Sequence, residues 1–308
     1  MAFFRRAGAP DGDALHDLLV AAYRAFDAQE WDAAAAGLVL VVETARSRDV
    51  PQRDLAGWVF DLALTHKFRR DWHATLTVGL EAAELAPAGE GEPAWWNLGI
   101  AATALHDWAT ARRAWTRYGV QLPTGDGPVD GNFGRAPVRI RTRAGAEVVW
   151  CERLDPARGK IENIPLPGSG RRWGEIVLHD GVPSGERQVD GRTYSVFDEL
   201  ALWAPSPVPV QAVELRVDGD HDVDALCELA HEAGFAAESW ESVRMLCAGC
   251  SEGLVGDTHV HGPAQDEGAP GRCRVGVAAP LEEAHDLLRT WISAAPARRG
   301  AGTPETVA

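Results

Sequence analysis

The sequence predicts an α+β multidomain chain: a stack of helical hairpins, then a small β-rich, barrel-like module, then an α/β sandwich. Three observations carry that expectation. A tryptophan-centred pattern recurs three times in the first 123 residues. A segment dense in glycine, proline and aspartate, PTGDGPVDGNFGRA at 123–136, then breaks the helical texture. After it come short alternating strands and, from about residue 207, apolar runs in the order β-α-β-β-α.

Residues 13–123 are rich in alanine, leucine and tryptophan with apolar positions at helical spacing. QEWDAAAA, RDWHATLT and HDWATARR each place an acidic residue before a tryptophan and an alanine shortly after it. The intervals Trp31 to Trp72 and Trp72 to Trp108 are about 41 and 36 residues, the period of stacked helical hairpins. In the third copy Trp95, Leu98, Gly99, Ala102, Ala111, Trp115, Tyr118 and Pro123 stand at matching spacings. Phe60, Leu62, Ala63, Gly79, Ala82 and Pro87 repeat them in the second, and Tyr23, Phe26, Trp31 and Ala33 in the first. Gly99 and Ala111 are small enough for two helices to approach closely. Pro123 cannot continue a helix.

On those residues this part of the chain resembles the tetratricopeptide repeat family. The resemblance implies a concave groove that binds a peptide or partner protein, whose identity the sequence does not name. The other role open to such repeats is a packing scaffold or a dimer surface.

Val138 and Ile140 alternate with arginines, and Val148 and Trp150 share one face of a second run; Ile176 to Leu178 and Tyr194 to Phe197 add further strands. Gly-Ser-Gly, His-Asp-Gly, Pro-Ser-Gly and Asp-Gly signals separate them. About five short strands in some 70 residues suggest a small barrel or curled sheet. His179 with Asp180 suggests a base and its orienter, and Ser169 or Ser184 a nucleophile. Neighbours on a strand point to opposite faces, however. Asp180-Gly181 is therefore read as a turn, His179 as half exposed and Cys151 as a strand core residue.

In the third segment 210–217 reads as a strand, 222–237 as an amphipathic helix, SVRMLCAG as a second strand, RCRVGVAA as a third and PLEEAHDLLRTWIS as a closing helix. That order is the one of a ferredoxin-like sandwich, completed by a strand from elsewhere. DGDHDVD resembles a calcium loop but lacks its sixth-position glycine and twelfth-position acid. Asp222 is read instead as a helix N-cap, and Cys227 as core. The expected division is 1–126 helical, 127–206 β-rich, 207–296 α/β, with 297–308 a disordered tail.

Cys247, Cys250, His259 and His261 lie within about fifteen residues, in MLCAGCSEGLVGDTHVHG. Zinc takes four such donors in a tetrahedron, often with a Cys-x-x-Cys arm. Gly249 and Gly253 let the backbone curl, and a His-x-His pair on an extended segment points both rings one way. Cys273 on the following strand is a further candidate neighbour. A closed structural zinc site is the form of metal binding this spacing favours. The same stretch also reads as core cysteines followed by a solvated histidine loop. A redox dithiol fits less well, because such pairs sit at a helix N-terminus. Glu252 and Asp257 are the acids near enough to assist a catalytic metal.

The formal charge of -15 over 308 residues, with lysine only at 67 and 160, argues against nucleic acid and anionic membranes as partners. Five cysteines do not make a disulfide scaffold. No signal-peptide pattern or long apolar run is visible, so a cytoplasmic location is expected. There is no phosphate loop, G-x-S-x-G elbow or H-E-x-x-H helix. The reading is thus an interaction or scaffold protein with a structural zinc, rather than an enzyme. The alternative is a metal-dependent enzyme or metal-handling protein that uses the cysteine and histidine cluster itself.

Overall fold

The computed structural model describes residues 14–87, 89, 91–142, 145–189, 191–240 and 271–307. It divides into two compact units, residues 1–131 with 155–157, and 132–154 with 158–308. The chain is mixed α/β, with helices first and sheets after.

The first unit holds six consecutive helices: α1 Ala14–Asp27, α2 Trp31–Arg46, α3 Gln52–Phe68, α4 Trp72–Leu85, α5 Glu92–Ala104 and α6 Trp108–Tyr118. Each packs against its neighbours in sequence, as a stack of antiparallel hairpins does. Leu15, Leu19, Leu38, Val41, Trp58, Phe60 and Leu62 belong to one buried cluster running through the first hairpins. Small residues set the close approaches. A Cβ on Gly99 would stand 2.6 Å from the Trp115 ring, so only glycine lets α6 lay that indole across α5. Gly79 does not play that part, since its nearest side-chain atom would be 3.8 Å away. Buried polar pairs tie together the first helices of successive hairpins. Tyr23 Oη donates to Asp61 Oδ2 at 2.5 Å, and Lys67 Nζ to Asn97 Oδ1 at 3.0 Å. Arg112 on α6 anchors the glycine-proline segment by donating to the carbonyls of Pro123, Gly127 and Pro128.

In the second unit β1 Arg135–Thr142, β2 Gly145–Arg153, β3 Arg158–Ile161, β4 Ile176–Val189 and β5 Arg192–Ala204 are joined in that order into a closed barrel. Neighbours pair antiparallel, and a parallel pairing of β1 with β5 shuts the ring. Register shifts between Ile176 and Gly185 bend β4 along its length, which is how a long hairpin curls round a small core. Val138, Ile140, Val149, Cys151, Ile161 and Val177 fill that core.

The remaining elements are β6 Val210–Arg216, α7 Asp220–Glu232, β7 Ala236–Ser239, β8 Arg272–Ala278, α8 Leu281–Ala294, β9 Gly300–Ala301 and β10 Glu305–Thr306. The sheet order is β10-β6-β8-β7, antiparallel throughout, with β9 also on β6. Side chains alternate across it. Val213, Leu215, Cys273, Val275 and Val277 meet Leu226, Leu288 and Trp291 of α7 and α8. On the opposite face Val210, Ala212 and Ala278 meet Ile164, Leu166 and Trp240. Gly276 is bare because a Cβ there would stand 2.6 Å from Trp240 and 2.7 Å from Ile164. The barrel segment 163–166 is therefore part of the sheet's own core.

Several expectations for this region are corrected. The helix expected to run to 237 stops at Glu232, because Gly234 takes φ +80 and turns the chain into β7. Asp222 is not the N-cap, since Gly219 precedes the helix. Its buried carboxylate lies in the first turn and accepts from Asp218 N at 3.0 Å and Arg299 Nε at 2.8 Å. The tail, expected to be disordered, forms β9 and β10 against β6. Arg299 fixes it by a further bond to the Trp291 carbonyl at 3.0 Å. Among the described residues no helix is long and apolar enough to cross a membrane.

Candidate functional site

Three equivalent turns join the helices of each hairpin. Gln29, Arg70 and His106 are the only non-glycine described residues at positive φ, at 59°, 60° and 59°. Each is followed by an acidic residue and then by a tryptophan that begins the next helix. A side chain at positive φ costs about 1 kcal/mol or more, so three such residues in one register mark a repeated turn. Asp71 and Asp107 cap their helices, accepting from Ala74 N and Thr110 N at 3.1 Å. Glu30 occupies the same place and makes no side-chain cap. Its extra methylene carries the carboxylate past the amides that an aspartate reaches.

The first two turns border an open depression lined by Gln29, Glu30, Trp31, Asp32, Ala33, Arg69 and Asp71. Trp31 is half-buried in it and stacks on Phe68 with 4.6 Å between ring centroids. Arg69 Nε meets Asp32 Oδ1 at 2.6 Å, and that carboxylate is 89% exposed. An indole beside carboxylates is an environment that takes up a cationic side chain. Beyond their first turns α3 and α5 expose almost nothing, whereas α1, α2, α4 and α6 keep exposed residues along their lengths. Val20, Val39 and Leu40 are the largest apolar groups exposed on α1 and α2.

Cys247, Cys250, His259 and His261 lie outside the described residues, as do Gly249, Gly253, Glu252, Asp257 and the strand expected at SVRMLCAG. Among the described residues no group of three or more histidine, cysteine or acidic side chains is placed to hold a metal. Cys273, considered as a neighbour of that set, is buried under the helices of the sheet. Cys227 is half-buried on α7, and burial together with Asp224 pushes its thiol up to about 11.

The other expected residues are structural. His179 is fully buried rather than half exposed, packed against Phe197 with 5.3 Å between centroids. Its Nδ1 donates to the Asp180 backbone carbonyl at 2.8 Å, and its Nε2 finds no hydrogen-bond partner among the described residues. Burial lowers its pKa to about 4, with the Asp180 carbonyl opposing, so the ring is neutral. Asp180-Gly181 is part of the bent β4 rather than a separate turn, and the Asp180 carboxylate accepts from Gly181 N at 2.7 Å. Ser169 Oγ is held by Arg171 N at 3.0 Å and Ser184 Oγ by the Val196 carbonyl at 3.4 Å. Desolvation in the barrel core raises the Cys151 thiol pKa. The Arg299 guanidinium lowers the Asp222 pKa, so one of the four carboxylates of the calcium-like stretch is already paired.

Sequence reasoning missed a pair of carboxylates that brace the segment 163–166, one buried and one half-buried. Glu147 on β2 is 2% exposed and accepts from Leu166 N at 3.2 Å. Glu238 on β7 accepts from Ile164 N at 2.6 Å and Asn163 Nδ2 at 2.9 Å. A glutamate inside an otherwise apolar strand, AEVVW, was the available signal. No protein-family model matches the chain, and no curated protein matches it.

Proposed function

We propose that the chain is an interaction protein whose helical stack is the binding element. The threefold recurrence of one turn, with its positive-φ residue, acid and tryptophan, supports that reading. It resembles the tetratricopeptide repeat, and stacks of this kind present extended surfaces to partners. The accessible surface lies on the turn edge and on α1, α2, α4 and α6. Trp31 with Glu30, Asp32 and Asp71 suits a partner segment carrying arginine or lysine, as does the chain's acidic balance. The strand order β10-β6-β8-β7 supports reading this part of the second unit as a ferredoxin-like sandwich, an arrangement that by itself selects no function. A structural zinc at Cys247, Cys250, His259 and His261 would pin the residues between β7 and β8, in a chain expected to act in the cytoplasm.

A photo-crosslinker placed at Glu30 in the full chain tests the binding surface. Capture of one defined partner that disappears in an Asp32→Lys/Asp71→Lys variant supports it. Capture unchanged in that variant removes the turn edge from the function. Elemental analysis beside a Cys247→Ser/Cys250→Ser variant tests the zinc separately, and wild-type protein purified without metal would sink that part.

A further inference from the structure

Residues 163–166, Asn-Ile-Pro-Leu, belong to no strand or helix, yet 164–166 are buried between the barrel and the sheet and Asn163 is half-buried. Buried backbone groups must find partners, and here side chains supply them from both sides. Glu147 of the barrel receives Leu166 N, Glu238 of the sheet receives Ile164 N, and Trp240 Nε1 donates to the Ile164 carbonyl at 3.1 Å. Pro165 has no amide to satisfy. Asn163 completes the arrangement, accepting from Trp150 N at 2.6 Å and donating to Glu238.

We propose that Glu147 and Glu238 form a proton-operated clasp that holds the barrel against the sheet. The two carboxyls come from different modules, grip adjacent amides of one segment and are close enough to repel when both are charged. The charged groups around them offset the effect of burial only in part, since both carboxyls stay raised. Arg187 of β4 acts on Glu238, while its own guanidinium donates to the Val148 carbonyl and lies 5.6 Å from the Trp150 ring. Arg274 of β8 sits over Trp240 at 5.6 Å, and Cys227 of α7 feels Glu238 with its thiol protonated.

The direction follows from linkage. Burial first, then the neighbouring Glu238 charge, pushes Glu147 up to about 7 against the pull of the Leu166 amide. Glu238 is raised too, chiefly by burial. Each carboxyl therefore holds its proton more tightly with the clasp shut than with it open. Closure is fully favoured below the ordinary glutamate pKa and weakens as pH rises through about 7. The loss accumulates between the ordinary glutamate pKa and about 7, so a rise in pH across that interval loosens the joint.

Hydrogen exchange of the full chain tests this, read at residues 162–166 and corrected for intrinsic rates. Between about pH 5.5 and about pH 8 the opening constant should rise on the order of 20-fold. In Glu147→Gln, whose amide oxygen still accepts from Leu166, the rise should fall below about 3-fold. Equal protection at both pH values overturns the proposal, as does an undiminished rise in Glu147→Gln. Should that variant fail to fold, Glu238→Gln and the wild-type pH series decide the matter alone.

Discussion

Gly99 and Gly79 sit inside helices of the same stack, at positions that look alike in sequence, and alanine at each should act in opposite directions. Glycine inside a helix costs roughly 0.8–1 kcal/mol relative to alanine, so both substitutions begin with that gain. At Gly79 nothing opposes it, because the nearest atom, Leu98 Cδ1, would be 3.8 Å from the new methyl. At Gly99 the methyl would lie 2.6–2.7 Å from three carbons of the Trp115 ring. That ring is fully buried and edge-on to Trp96 at 5.1 Å, so it has nowhere to swing. Overpacking of a rigid group costs about 1–3 kcal/mol, here toward the upper end. Gly99→Ala should therefore destabilise the stack by about 1–2 kcal/mol net, and Gly79→Ala should stabilise it by about 0.5–1 kcal/mol. Because a whole-chain melt mixes two units, the assay is urea-dependent hydrogen exchange read on α5 and α6 peptides. Shifts of the same sign at both positions, or a neutral Gly99→Ala, would refute the packing argument.

Other outcomes follow from the capping, burial and pairing described above. Glu30→Asp should supply the cap that Asp71 and Asp107 provide in the other turns, raising stability by about 0.5–1 kcal/mol in the same exchange assay. His179→Phe should remove an acid sensitivity of the barrel. A base depressed to about 4 loses the folded state up to about 3 kcal/mol as pH falls from its ordinary value, so the variant's pH–stability curve should be flatter between pH 6.5 and 4. Arg299→Gln should leave Asp222 buried without its closest charge partner and release β9 and β10, seen as lost exchange protection at residues 300–306. Asp222 is held below its usual range, so the stability it lends exists above the ordinary aspartate pKa and disappears as pH falls through the lower folded value. That acid limb should move to higher pH in the variant.

The helical stack was legible because its signal is local. Each turn announces itself by an acid beside a tryptophan, and the three positive-φ residues fall two positions before Trp31, Trp72 and Trp108. The end of α7 was misplaced because Ala236 and Ala237 continue a helical-looking run, whereas Gly234 is what stops it. The tail strands carry no local signal. Residues 300–306 become ordered through pairing with β6 and through Arg299 on Asp222, contacts some 77 or more residues apart. The burial of His179 arises likewise from barrel closure, which no window of neighbouring residues reports. Glu147 and Glu238 become meaningful only once segment 163–166 lies between them.

The repeated turn separates the two units in one further respect. A stack whose hairpins share one joint is open-ended, so a whole hairpin can be inserted or lost between equivalent turns while the neighbours keep their contacts. A ring of five strands shut by β1 on β5 has no such freedom, because a strand gained or lost changes its circumference. Variation in chain length among descendants of this architecture should accordingly accumulate in steps of one hairpin in the first unit, and be confined to loops in the second.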